Sequence, residues 1–346
     1  MKNYREIKNN IEKILKNRIM VIDGAMGTMI QKYGLKEEDF RNEELRNHRE
    51  DLFGNNDLLS VTRPDIIEKI HRDFLEAGAD IIETNTFNGN SISQSDYNLG
   101  DMVSEINLKS ARIASGLAEE FSRVNPEKPR FVAGSVGPTN VTLSMSPDVN
   151  DPGYRKVSFE ELVGAYKEQI RALIEGGVDI ILIETIFDTL NAKAAIFALN
   201  MVNEELGIEV PLMISGTITD NSGRTLSGQT LEAFYISISH ASNLLSVGLN
   251  CALGSEEMRP YIIELSNISD YNTSLHPNAG LPNEFGEYDE SPEFMQRVIN
   301  GYVDEGFVNI VGGCCGTTPE HIGAIASGVA ERVPRRVVEE GDGVGV

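Results

Sequence analysis

An α/β fold, a (β/α)8 barrel of the TIM type, is what this chain of 346 residues predicts. Three observations predict it. Eight short β-rich apolar runs alternate with segments whose apolar residues recur at helical spacing. Several joints into those runs carry a glycine suited to terminate a helix before a buried strand. The residues able to do chemistry fall at the carboxyl ends of the runs, the face where barrels of this kind carry their sites.

In chain order, residues 1–18 mix charged residues with isolated apolar ones and read as a helical extension ahead of the first run, Ile19 to Asp23. Lys36 to Asn56 is polar, ends in the turn Gly54-Asn55-Asn56-Asp57, and forms a long excursion after that run. Thr62-Arg63-Pro64-Asp65 marks a helix start, with proline in the first turn. Ala77-Gly78-Ala79-Asp80 closes that helix and opens the second run, Asp80 to Thr86; the third is Phe131 to Gly137. A second long loop, Met145 to Arg155, follows it. Leu162, Tyr166, Ile170, Leu173 and Ile174 share one helix face, and Gly176-Gly177-Val178-Asp179 leads into the fourth run, Asp179 to Thr185. Leu212 to Thr217, Ser246 to Cys251 and Thr273 to Asn278 are the next three. Ser291-Pro292-Glu293 starts a helix that ends at Glu305-Gly306-Phe307; the last run, Phe307 to Cys314, precedes a helix opening at Thr318-Pro319-Glu320. The barrel thus spans 19–333, with extended loops after strands one and three, and 334–346 is read as an acidic, glycine-rich tail or linker. A doubly wound open sheet uses the same alternation, but no Gly-x-Gly-x-x-Gly turn follows the first run.

Thirty basic residues against 53 acidic ones give a net charge of -23. Such acidity opposes docking on nucleic acid or anionic lipid. The opening residues lack the long apolar core of a secretory signal, and no run reaches the length of a membrane-crossing helix. Three cysteines without an export signal read as a reducing, cytoplasmic setting.

Those cysteines are the most informative residues. Cys314 and Cys315 are adjacent, within Gly312-Gly313-Cys314-Cys315-Gly316, and Cys251 ends a run of its own. Neighbouring residues cannot readily close an unstrained disulfide. Three thiols converging from two strand ends suit a zinc ion with an open fourth position. Burial of small apolar residues is the competing explanation, the better one for Cys251 alone. His321 lies six residues past Cys315 but inside the next helix, where it reads as a surface or capping residue. Three thiolates would leave a bound substrate sulfur nucleophilic, so the expected chemistry is alkylation of a thiol. Asp23 and Glu184, at two strand ends, could hold an ammonium group. Capping or ion pairing would explain either one singly, and a glycosidase pair would explain both but leave the cysteines unexplained.

Read together, Val21-Ile22-Asp23-Gly24-Ala25-Met26-Gly27-Thr28, Gly54-Asn55-Asn56-Asp57, Glu83-Thr84-Asn85-Thr86-Phe87-Asn88, Ile183-Glu184-Thr185, Ser215-Gly216-Thr217, Gly248-Leu249-Asn250-Cys251-Ala252-Leu253-Gly254, His276-Pro277-Asn278-Ala279-Gly280 and Gly312-Gly313-Cys314-Cys315-Gly316-Thr317-Thr318-Pro319 resemble the homocysteine-binding module of cobalamin-dependent methionine synthases. The resemblance runs in order from about Ile19 to Val333. It implies a Zn2+ ion held by Cys251, Cys314 and Cys315, and homocysteine bound through its sulfur. It places the substrate's amino and carboxylate groups near Asp23, Gly24, Ser135 and Glu184, and brings Asn278 to the zinc when substrate is absent.

The methyl donor it implies is methylcobalamin, carried by a cobalamin-binding module that works with a folate-binding one, in cis or in trans. None of His48, His71, His240, His276 and His321 lies in an Asp-x-His-x-x-Gly setting, so this chain is not expected to hold cobalamin tightly itself. An excised fragment or a stand-alone subunit would both fit its length. Two alternatives stay open. One is a self-sufficient methyltransferase using betaine or S-methylmethionine, for which aromatic residues near the site are expected; Phe40, Phe53, Phe87 and Tyr97 are the loop candidates and the chain has no Trp. The other is a non-catalytic module that binds zinc or senses thiols.

Overall fold

The computed structural model describes residues 2–337 except 220, 221 and 285; residues 338–346, most of the expected tail, lie outside the described residues. The strands are β1 (Met20–Val21), β2 (Ile81–Glu83), β3 (Phe131–Val136), β4 (Ile180–Ile186), β5 (Leu212–Gly216), β6 (Leu244–Gly254), β7 (Asn272–Asn278) and β8 (Ile310–Val311). They form one sheet in the order β1-β8-β7-β6-β5-β4-β3-β2. Every pairing is parallel. A further parallel bridge between Ile22 and Ile81 joins β1 to β2 and closes the ring. The expected eight-stranded barrel is therefore the fold.

The helices are α1 (Tyr4–Leu15), α2 (Met26–Gln31), α3 (Leu59–Thr62), α4 (Pro64–Ala77), α5 (Ser91–Gln94), α6 (Val103–Val124), α7 (Phe159–Gly176), α8 (Thr189–Leu206), α9 (Leu231–Ile238), α10 (Arg259–Ile268), α11 (Pro292–Asp304) and α12 (Pro319–Val329). Proline opens α4, α11 and α12 as the sequence predicts. Gly78, Gly177 and Gly306 have φ of 114°, 96° and 77°, the left-handed turn expected at those joints.

Alternation along the strands sorts two apolar layers. Val21, Ile82, Val132, Ile181, Ile183 and Ile214 face outward and pack with the surrounding helices. Met20, Ile22, Ile81, Phe131, Ala133, Ile180, Leu182 and Met213 face inward and meet Ile11 and Leu15 of α1, so the opening helix plugs the amino-terminal end of the barrel. With that end sealed by hydrocarbon, the next inward positions, Glu83, Ser135, Glu184 and Ser215, come at the opposite end. Strand period alone delivers polar groups to the mouth.

The strand ends differ from the sequence reading. Strand β8 is two residues long, so Cys314 and Cys315 stand beyond it, whereas β6 continues past Cys251 to Gly254. The chain after α12 is not released at 334: the Arg335 guanidinium donates to the carbonyls of Ser266, Ser269 and Tyr271, and its backbone N–H to that of Val308.

Candidate active site

Cys251 reaches the mouth through a distortion of β6. Asn250 pairs with His276 and Gly254 with Asn278, so residues 251–253 stand against one residue of β7. Cys251 and Ala252 both adopt φ of 61°, a conformation L-residues enter at a cost. A bulge of this kind bends the strand and redirects a side chain.

The adjacent pair is held by its backbone. Cys314 N–H donates to the Pro277 carbonyl at 2.8 Å, and Ala279 N–H donates to the Cys315 carbonyl at 2.9 Å. Asn278 is thereby bracketed by the two cysteines. Thr317 Oγ1 donates to the Cys314 carbonyl at 2.7 Å, and Gly316 N–H donates to Thr28 Oγ1 at 3.0 Å. Flexibility explains only Gly316, whose φ is 82°. At Gly312 a Cβ would lie 2.5 Å from the Ile22 carbonyl oxygen, and at Gly313 one would lie 2.6 Å from Thr317 Oγ1. These two glycines are required for close approach of neighbouring segments.

The outcome is a triad of free thiols whose sulfurs all lie within 4.8 Å of one another, with Cys251 and Cys315 Sγ 3.8 Å apart. Tetrahedral ligands about 2.3 Å from zinc are spaced by about 3.8 Å. The donor set therefore fits zinc in both chemistry and spacing. Thiols this close do not ionise independently. Hydrogen bonds from Cys251 and Cys314, with a smaller one from Tyr288, favour the Cys315 thiolate and pull its pKa down to about 3. Hydrogen bonding to Cys251 and Cys315, together with burial, pushes Cys314 well above the ordinary thiol value.

Beside the triad lie three carboxyl groups, those of Asp23 and Glu184 buried and that of Glu83 half-buried. Ser135 Oγ donates to Glu184 Oε1 at 2.5 Å, and Glu83 N–H donates to Asp23 Oδ2 at 3.1 Å, leaving Asp23 Oδ1 buried without a partner. Burial, only partly offset by the Ser135 hydrogen bond, pushes Glu184 up to about 7. Asp23 and Glu83 are likewise raised, first by burial, and Glu83 also by its two acidic neighbours. No Lys or Arg among the described residues forms an ion pair with any of the three. Carboxyl groups kept from ionising by burial and mutual repulsion, with no Lys or Arg paired to them, would ionise once a cation enters among them, so the cluster is a candidate cation site. Glu184 sits at another bulge, where Ile183 pairs with Ile214 and Ile186 with Gly216, and the following Thr185 has φ of 55°.

The remaining expected residues are placed as follows. A Cβ on Gly24 would lie 2.7 Å from Thr317 Oγ1, so the chain after Asp23 passes against the segment that follows the cysteines. Asn278 is buried at the end of β7, and its Oδ1 has no hydrogen-bond partner. His321 caps α12: its Nδ1 accepts from Thr318 N–H at 3.2 Å and its Nε2 donates to the Glu290 carbonyl at 2.9 Å. It is buried, not a surface residue. Glu83, expected at the carboxyl end of the second run, joins the site; Asn250 and Tyr288 join it without having been singled out. Alternation along β2 points to Glu83; Tyr288 arrives on a turn bridged to Pro282 and has no sequence signature.

The closed barrel thus carries, at its carboxyl face, a thiol triad able to hold a metal ion and a cluster of carboxyl groups beside it. The homocysteine S-methyltransferase family profile matches residues 20–329, and the chain belongs to that family. Among solved structures, it is similar to the metallated form of the homocysteine methyltransferase MmuM from Escherichia coli, with 22% identity, a TM-score of 0.69 and coverage of 91% of this chain and 98% of that one. The oxidized form of the same protein matches with 20% identity, a TM-score of 0.70 and coverage of 94% and 99%. At these identities the likeness concerns the fold.

Proposed function

We propose that this protein methylates homocysteine on sulfur to give methionine, with zinc held by Cys251, Cys314 and Cys315. One observation carries the reading: a thiol triad able to hold a metal ion adjoins a cluster of carboxyl groups that lacks a Lys or Arg partner, a two-point match to an amino acid bearing a thiol. When bound, zinc on three sulfurs makes an incoming thiol nucleophilic at neutral pH. The chain's own residues do the rest. Glu184, with Asp23 and Glu83 beside it, takes the substrate ammonium, and Ser135 orients the Glu184 carboxylate. The backbone at Gly24 receives the substrate carboxylate. The orphaned Oδ1 of Asn278 would be available as a further donor to the metal in the absence of substrate. The sulfur then attacks the methyl carbon in line, and the donor departs with the bonding electrons.

For the donor, the motif resemblance favours methylcobalamin presented by another module, in cis or in trans, with a folate-binding module as its source of methyl groups. The long loops after β1 and β3 then form part of the docking face. A sulfonium or quaternary ammonium donor is favoured by a different observation. Glu257 and Glu290 flank Gly254, three residues past Cys251, and give the mouth a negative wall. The free thiols accord with a reducing, cytoplasmic setting, and no described helix is long and apolar enough to cross a membrane.

Methionine formation from homocysteine should be assayed with methylcobalamin, S-methylmethionine and betaine in parallel. The account expects turnover with methylcobalamin. Turnover confined to S-methylmethionine or betaine would establish the stand-alone reading. Tight zinc binding with no methionine from any donor would leave a metal- or thiol-binding module.

A further inference from the structure

Asn250 stands one residue before Cys251, is 1% exposed, and uses the whole hydrogen-bonding capacity of its amide. Oδ1 accepts from Thr185 N–H at 3.0 Å and from Ser215 Oγ at 2.7 Å. Nδ2 donates to Thr185 Oγ1 at 2.8 Å and to Cys314 Sγ at 3.9 Å. An asparagine amide offers two lone pairs and two N–H bonds, so no position is unused. The orientation is also determined, because flipping the amide would set Nδ2 against the Thr185 N–H. One side chain on β6 thus ties together β4, β5 and the segment that carries the cysteine pair.

What it holds on β4 is not ordinary strand. Thr185 is β-branched and left-handed, a combination that persists only where the surroundings enforce it. Two of the four contacts from Asn250 go to this residue, which immediately follows Glu184. Released from the amide, Thr185 would relax toward extended φ and swing the Glu184 carboxylate away from the mouth. The contact to Cys314 acts on the other half of the site. A donor beside a ligand sulfur fixes its direction and withdraws charge from it, the usual work of groups lying behind metal ligands.

We propose that Asn250 is a positioning residue that sets the Glu184 carboxylate and the Cys314 sulfur in one fixed relation, so that recognition of the amino acid and binding of the metal depend on the same amide. This rests on the functional reading given above. The division of labour within the amide is specific: its oxygen serves the Glu184 side, through the Thr185 N–H and Ser215, and its nitrogen serves both Thr185 Oγ1 and the sulfur.

The test compares the full chain with its Asn250→Ala and Asn250→Asp variants, each loaded with Co2+ as a spectroscopic substitute for zinc. Metal affinity by chelator competition, the cobalt–thiolate absorption, and KM and kcat for homocysteine are measured. Asn250→Ala is expected to weaken metal binding about 10- to 100-fold and shift the cobalt spectrum. It should also raise the homocysteine KM about tenfold or more. Asn250→Asp keeps the acceptor oxygen and loses the donors, so its metal affinity and spectrum should change as in the alanine variant while KM rises less. Both variants matching the wild type within about twofold in metal affinity and KM would overturn the proposal. So would an aspartate variant with wild-type metal affinity and spectrum, which alone decides the matter if Asn250→Ala does not fold. A wild-type protein that binds neither Co2+ nor homocysteine would instead overturn the functional reading, and this inference with it.

Discussion

Replacing Cys314 with alanine is expected to leave the purified protein without stoichiometric zinc and to lower methionine formation by about a thousandfold or more. Two sulfurs remain, but a cavity takes the place of the third, and the Cys314 side chain is the one that receives the Asn250 amide. Cys251 and Cys315 then sit 3.8 Å apart as a bare pair, poor ligands for a metal that favours four donors. The carboxylate cluster does not touch the deleted atom, so binding of a thiol-free amino acid of similar length should persist. Elemental analysis and the methionine assay check the two halves of the expectation. Full zinc in the variant would mean that another donor set holds the ion.

Glu184→Gln should separate the two functions in the opposite sense. Zinc content stays at the wild-type level, while the homocysteine KM rises about 10- to 100-fold, the cost of losing a charged hydrogen-bond partner in a buried site. The pH dependence supplies an independent check. Burial raises the Glu184 pKa to about 7, and its ionised form is the one that attracts an ammonium. The wild-type KM should therefore rise as the pH falls below about 7, and that dependence should flatten in the variant. Stability shows the reverse trend. Between the ordinary glutamate value of 4.5 and about 7 the folded protein retains a proton that the unfolded chain has lost. The stabilisation is complete below the unfolded value and is lost as the pH climbs through about 7. Thermal unfolding of the metal-free protein across this range should show a decline in Tm that Glu184→Gln lessens.

The barrel was legible in the sequence because its signals are local and repeated. Gly78 and Gly177 end helices where L-residues would be strained, and the apolar runs between Ile19 and Val311 coincide with strands or their immediate ends. The cysteines were legible as a set, because an adjacent pair that cannot readily bridge to itself and a third thiol at another strand end are poorly explained by burial alone. What could not be read is the conformation that joins them. The bulges at Glu184-Thr185 and at 251–253 place non-glycine residues at positive φ, against local preference, and only the closed ring enforces them. Asn250 was visible only as part of a motif. Its role depends on Thr185, Ser215 and Cys314, at separations of 65, 35 and 64 residues, meeting at one amide. Gly312 and Gly313 are close-packing sites against Ile22 and Thr317, a role that no local pattern in the sequence reveals. Arg335, within what read as a tail, belongs to the barrel's packed edge.

Zinc X-ray absorption on the purified protein, with and without homocysteine, tests the central claim most directly. The account predicts three sulfur neighbours at about 2.3 Å and one lighter donor in the free protein, and four sulfurs after homocysteine is added. Fewer than three sulfurs in the free protein, or a sulfur count that homocysteine leaves unchanged, would contradict it.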